Sequence, residues 1–237
     1  MADGEFLVEL AGVSKDYRAL RPLRIQRLEL RAGQSIALLG LDAAMAEVLV
    51  NLITGAQLPD EGEVRVFGRS TRSITAVDEW VTELDRFGLI SDRAVLVEQF
   101  TAEQNLALPM SLDIEVMSPP VREAVRRLAS EVGLSAETMA LPTSALAPTD
   151  QLRLRLGRAL ALHPRVLLAE HPNALLTPEE SPRFVRDFRR ISRDRGLATL
   201  LLTANATFAA AGADTVLELQ PATGALNGRS GLRRWFS

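Results

Sequence analysis

Three short runs of this 237-residue chain are apolar at almost every position: Ser35-Ile36-Ala37-Leu38-Leu39, Arg165-Val166-Leu167-Leu168-Ala169 and Ala198-Thr199-Leu200-Leu201-Leu202-Thr203. A strand with one wet face alternates polar and apolar residues, whereas a strand apolar on both sides must be covered on both. Helical patterns separate the runs. Ala43 to Ile53 places Val48, Leu49, Leu52 and Ile53 at near-3.6 spacing, and a second helix is expected from Pro178 to about Arg195. Buried strands alternating with helices call for a parallel sheet with helices on both faces. Ala213 to Leu219 reads as one more core strand, followed by a hairpin at Pro221-Ala222-Thr223-Gly224.

The flanks differ. Phe6 to Leu10 and the alternating Leu23 to Leu30 read as strands, with a turn at Arg31-Ala32-Gly33-Gln34. A further turn at Pro59-Asp60-Glu61-Gly62 leads into a strand over Glu63 to Phe67. The middle is helical only: Thr101 to Leu108, Pro119 to Val132 and Asp150 to Leu162, punctuated by Pro109, Gly133 and Pro148. The expectation is one α/β domain over 1–237, its core from 1–90 and 163–237 and an inserted helical lobe from 91–162.

Composition narrows the function. With no cysteine the chain has no thiol chemistry and no thiolate metal site. No window approaches the ~18 consecutive apolar residues of a spanning helix. The start Met1-Ala2-Asp3-Gly4-Glu5 is acidic where a secretory signal is basic, so a cytoplasmic protein is expected. A formal charge of −3 argues against nucleic acid as a partner. Of 27 basic residues only Lys15 is lysine; the rest are arginine, as a GC-rich genome would favour.

A buried strand, a loop opening on glycine and a helix is where a phosphate-binding loop sits. The segment here is Gly40-Leu41-Asp42-Ala43-Ala44-Met45-Ala46-Glu47-Val48, closed by Leu52-Ile53-Thr54-Gly55. It resembles the ATPase subunit of ATP-binding-cassette (ABC) transporters, and the likeness runs almost end to end. Gly62-Glu63-Val64-Arg65-Val66-Phe67-Gly68 is similar to the family's G-x-v-x-v-x-G strand, and Thr101 to Pro109 to the segment opening its helical lobe. Arg158 to Ala169, with Pro172, resembles the run into its fourth strand. Ala213-Asp214-Thr215-Val216-Leu217 is similar to its last core strand, and the flavour is nearest to the lipid- and lipoprotein-export branches. The resemblance implies an ABC-type P-loop NTPase fold: a RecA-like core, an N-terminal antiparallel β-subdomain and the inserted lobe.

The chemistry of that family needs backbone N–H groups around the phosphates, a lysine on the β- and γ-phosphates and a hydroxyl on Mg²⁺. Gly40 is present. The second glycine falls on Met45, the lysine on Ala46 and the hydroxyl on Glu47; because Lys15 precedes the loop, no realignment supplies a lysine. Asp42 and Glu47 bring carboxylates towards a polyanion. The metal-holding aspartate falls on Glu170, the catalytic glutamate on His171, the loop glutamine on Asp92 (Gln99 lies seven residues late) and the switch histidine on Ala204. The L-S-G-G-Q signature reads Leu146-Ala147-Pro148-Thr149-Asp150, and the aspartate of the dimer loop falls on Thr177. Tyr17 agrees with the adenine-stacking position. No catalytic residue and no metal site is assigned, and ATP with magnesium is the ligand these losses speak against.

Four readings stay open. The first is a catalytically silent cassette, structural or regulatory, peripheral on the inner face of the cell membrane. Its implied partners are an integral-membrane permease and a second cassette, as homo- or heterodimer. Val95, Leu96, Val97 and Phe100 are its docking candidates unless they belong to the lobe's own core. The second is a divergent ATPase using Glu170, His171 and arginines in place of lysine; the third a soluble scaffold outside transport. The fourth is metal binding by Asp42, Glu47, Glu170 and His171. The arginine-rich helix 183–195 interleaves acids and reads as a solvated face, and the basic-aromatic tail 229–236 as a frayed end or a membrane contact.

Overall fold

The computed structural model describes residues 5–228, so the acidic first four residues and the basic-aromatic tail lie outside the described residues. Ten strands follow in chain order: β1 (Phe6–Lys15), β2 (Leu23–Arg31), β3 (Ser35–Leu39), β4 (Glu61–Val66), β5 (Arg69–Ser70), β6 (Phe87–Ile90), β7 (Val166–Glu170), β8 (Ala198–Leu202), β9 (Thr215–Gln220) and β10 (Ala225–Gly228). Eight helices join them: α1 (Ala43–Ile53), α2 (Val77–Leu84), α3 (Ala102–Ala107), α4 (Pro119–Val132), α5 (Ala136–Ala140), α6 (Pro148–Leu160), α7 (Ser181–Asp194) and α8 (Ala206–Gly212). One sheet is antiparallel in the order β2-β1-β4-β5; the other runs β10-β9-β3-β8-β7-β6. Within the second, β9 through β6 are parallel and only the hairpin strand β10 is antiparallel.

The period of two along a strand divides the core into two layers. Ile36, Leu38, Val166, Leu168, Leu200 and Leu202 face one side, where they pack with α1 and with Val8, Leu10, Ile25 and Val64 of the antiparallel sheet. Ala37, Leu39, Leu167, Ala169 and Leu201 face the other, against Phe184 and Phe188 of α7, Phe208 of α8 and the helices between β6 and β7. Helix α1 thus lies between the two sheets, which fixes its N-terminus at the end of β3.

Polar fastenings hold the middle helices. Fully buried Asn105 accepts from the Val97 N–H at 2.9 Å and donates to the Val97 and Thr101 carbonyls at 3.0 and 3.1 Å. Arg153 of α6 donates to Asp187 of α7 at 2.8 Å. At Gly88 the α6 backbone comes so close that a Cβ would stand 2.5 Å from the Ala159 carbonyl oxygen, which seats α6 directly on β6.

Helix α1 has the span its periodicity gives. β1 runs five residues beyond Leu10, because Gly12, at φ +59°, accompanies a register shift that breaks the alternation while Val13 returns to the core. Proline explains two other shifts: Pro148 is the first residue of α6, where a missing N–H costs nothing, and α7 starts at Ser181 with Pro182 in its first turn. α2, α5, α8, β5 and β6 have no counterpart in the sequence reading. β6 is four residues long, and α8 has four alanines among its seven residues, with its clearest signal in the capping Asn205.

Candidate functional site

Register assembles the site. Leu38 pairs with Leu202 and Glu170 with Leu202, so β3, β7 and β8 end at one level. Beyond them lie Gly40, His171 and Ala204, with the His171 N–H on the Leu202 carbonyl at 2.8 Å. The carboxyl edge of a parallel sheet is where ligands of such folds bind. Gly40 has a reason of its own: φ is +87°, and a Cβ there would stand 2.8 Å from the carbonyl oxygen of Leu219.

Asp42 caps α1, its carboxylate accepting from the Met45 N–H at 2.8 Å while its carbonyl accepts from Ala46. The helix N-terminus, intrinsically an anion site, already faces an anion. Met45 and Ala46 are buried; Leu41 and Val48 join the same cluster, and Ala43 and Ala44 are exposed without a polar group to offer. Tyr17 is half-buried against that cluster, and burial, then the Asp42 charge, pushes its phenol above the ordinary range.

The strongest feature is Arg93, which the sequence reading did not single out. Its guanidinium donates to Glu170 Oε1 at 2.5 Å and Oε2 at 3.4 Å, to Glu47 Oε1 at 3.3 Å and to Asn51 Oδ1 at 3.4 Å. Ser91 Oγ adds a 2.8 Å bond to Glu170, whose side chain is only 9% exposed. Glu47 and Glu170 therefore meet, as their positions imply, but around a cation from the chain itself. Arg93 adjoins Asp92, the exposed residue at the loop-glutamine position. The signal that could have found it is this adjacency; a search for basic residues near 40–48 could not.

The other positions supply little chemistry. His171 holds a left-handed backbone (φ 42°, ψ 43°), and its Nε2 is buried with no hydrogen-bond partner among the described residues. Ala204 is exposed between Thr203, which donates to Asn173 Oδ1 at 2.6 Å, and Asn205, which caps α8 through Phe208 N–H. Leu146 is buried, Ala147 and Pro148 are exposed, and Thr149 and Asp150 are half-buried, together forming the entry to α6. Exposed Thr177 donates its N–H to Glu180. Among the described residues no three of His, Asp or Glu are grouped to hold a metal, so Asp42, Glu47, Glu170 and His171 do not form the set considered above.

These residues do not fit a magnesium triphosphate. Two unit negative charges roughly 4 Å apart repel by about 4 kcal/mol at an effective dielectric near 20, whereas a helix dipole returns ~1 kcal/mol. The carboxylate that would hold the metal is already ion-paired. Among the docking candidates Val95 is 72% exposed, but Leu96 is 8% exposed in the core cluster and Phe100 packs against it, with Val97 half-buried. Leu96 thus falls to the lobe's own core, the alternative left open above.

Comparison with known proteins gives a consistent picture. The profile of the ABC transporter family matches residues 23–174. The lipoprotein-releasing system ATP-binding protein LolD of Maricaulis maris is 31% identical over 85% of this chain and 89% of its own length. The methionine import ATP-binding protein MetN of Rhizobium etli is 29% identical over 85% of this chain, which spans 55% of that relative. Among solved structures, the ADP- and phosphate-bound dimer of the cassette MJ0796 superposes with a TM-score of 0.78 at 19% identity, covering 95% of this chain and 100% of the other. CbiO1 of Clostridium perfringens does so at 0.79 and 15%, over 94% and 87%. At these identities the structural likeness is one of fold, and it matches the antiparallel sheet, parallel core and intervening helices described above.

Proposed function

Since the chain belongs to the ABC transporter family, we propose that it is a cassette subunit with a structural or regulatory part in a transporter, its own cradle neither holding Mg-ATP nor hydrolysing it. The reading places it at the inner face of the cell membrane, against an integral-membrane permease and a second cassette. One observation carries it: Arg93 bridges Glu47 and Glu170 where a metal-bound phosphate belongs. The Asp42 carboxylate on the first turn of α1 acts in the same direction. Transition-state charge stabilisation is usually the largest catalytic term, and the groups that supply it in this family are replaced by Met45, Ala46, Glu47 and His171. The signature positions are replaced as well, so both halves of a composite site are altered.

A second reading, an ATP-binding and hydrolysing cassette of divergent chemistry, draws on the relatives LolD and MetN, both named ATP-binding proteins. Calorimetric titration with Mg-ATP, paired with a phosphate-release assay, separates the two. The silent cassette gives no saturable heat up to about 1 mM nucleotide and no release above buffer; micromolar binding with steady turnover establishes the second reading instead. Among the described residues no helix is long and apolar enough to cross a membrane. Recovery of a permease with the chain from solubilised membranes supports the transporter role, and a lone cytosolic monomer supports a scaffold outside transport.

A further inference from the structure

Helix α6 carries three arginines that face two ways. Arg155 and Arg158 line a groove beside β6, together with Phe87 and Leu89. Arg153 lies two residues before Arg155, about 200° round the helix, and points to α7 instead. Its side chain is 6% exposed; Nη1 donates to the Val132 carbonyl at 2.5 Å and Nη2 to Asp187 of α7 at 2.8 Å. Gly133, left-handed at φ +79°, ends α4, and a Cβ there would stand 2.8 Å from Arg153 Nη1. The residue that stops α4 therefore also makes room for this guanidinium.

The end of α4 repeats the pattern. A helix C-terminus favours a cation, yet the last turn of α4 has no basic residue of its own. Other helices supply the charge. Arg190 of α7 donates to the Glu131 carbonyl at 3.3 Å. Arg195, the C-cap of α7, holds the Glu131 carboxylate at two points, 2.7 Å from Nε and 2.5 Å from Nη2. Its Nη1 reaches the carbonyl of Leu160, the last residue of α6, at 3.0 Å. Helices α3 to α6 form the lobe between β6 and β7, whereas α7 joins β7 to β8 of the parallel sheet. The bonds of Asp187, Arg190 and Arg195 thus all cross from lobe to core.

The chain passes between lobe and core twice, and both passages are tied down. The way in, just after β6, is fastened to the end of β7 by Ser91 and Arg93 on Glu170. The way out, just after α6, is fastened at Leu160 by Arg195. A lobe on two connections turns only when those connections are free to twist. Charge-assisted, two-point bonds are the strong ones, and parting a largely buried pair strands both charges.

We propose that Arg153, Arg190 and Arg195 form a clamp, with Asp187 and Glu131 as its acceptors, that makes lobe and core one rigid body. The entry to α6 then keeps a fixed place relative to the cradle, whatever the cradle binds.

The chain has no cysteine, so Glu123→Cys on α4 and Arg65→Cys on β4, both exposed positions, carry the only two spin labels. Pulsed electron resonance is expected to give one narrow distance distribution, the same with and without Mg-ATP. Asp187→Asn combined with Glu131→Gln, nearly isosteric and uncharged, broadens it at least about twofold. Arg195→Glu broadens it too, and adding Glu131→Arg, which exchanges the pair, narrows it again. Arg155→Leu, on the other face of α6, leaves it as in the parent. A broad or two-peaked distribution in the parent, a shift on adding Mg-ATP, or a narrow distribution in the Asn/Gln variant overturns the clamp. Equal broadening by Arg155→Leu does so as well. Nucleotide binding by calorimetry bears on the proposed function alone: a parent that binds Mg-ATP with its distances unmoved keeps the clamp and loses the silent cassette.

Discussion

The strand-end cradle and the α6 groove handle positive charge in opposite ways. In the cradle Arg93 is surrounded by Glu47, Glu170 and Asn51, and the neighbouring helix end is met by Asp42. In the groove Arg155 has two buried donor nitrogens with no acceptor among the described residues. A charge that finds its counter-charge within the chain closes a site, because any ligand must first displace that partner. The cradle is thus the self-satisfied region, and the groove keeps buried donors without a partner among the described residues.

The largest expected effect comes from undoing the cradle's self-satisfaction. A variant carrying Met45→Gly, Ala46→Lys, Glu47→Ser and Arg93→Gln should bind Mg-ATP at least about 100-fold more tightly than the parent by calorimetry. The same variant with Arg93 retained should fall between them. Next, Arg93→Ala should lower stability by about 1–2 kcal/mol, a value reduced by the solvent exposure of Arg93. That corresponds to roughly 3–6 °C in Tm by calorimetric scan, and a double-mutant cycle with Glu170→Gln should recover most of the loss. Equal loss from Arg155→Leu would erase the contrast between the regions. Asp42→Ala should remove about 1 kcal/mol of capping in low salt and regain part of it in sulfate, as the freed helix end accepts the anion.

The smallest effect concerns Tyr17, the single tyrosine of the chain, whose phenolate absorbance titrates alone. Its raised value means the unfolded chain deprotonates first, so the stability it contributes is present below the ordinary pKa of about 10 and is lost as pH rises through the folded value. Asp42→Asn should shift the titration downward, back towards that value. An unshifted titration would separate Tyr17 from the cradle's charge.

The fold was legible wherever burial wrote a pattern. The runs at 35–39, 165–169 and 198–203 needed cover on both faces, and α1 declared itself by spacing and by Gly55. What escaped was short or weakly patterned: β6 has four residues, and α8 depends on the cap at Asn205. The residues at 45–47, Met, Ala and Glu, could be set against the loop pattern from the sequence because that comparison is local. Arg93 could not, since it reaches Glu47 across 46 residues and its role exists only after β6, β7 and α1 are brought together. Leu96 shows the limit of an apolar run: spacing left surface and core both open, and only the packed lobe decides for the core.

A crystal grown with magnesium and a non-hydrolysable ATP analogue tests most directly whether the cradle supplies its own cation. Arg93 should remain on Glu47 and Glu170, with no ordered triphosphate along residues 40–48. Three phosphates wrapped by that loop, with Arg93 swung away and a metal on Glu170, would contradict it.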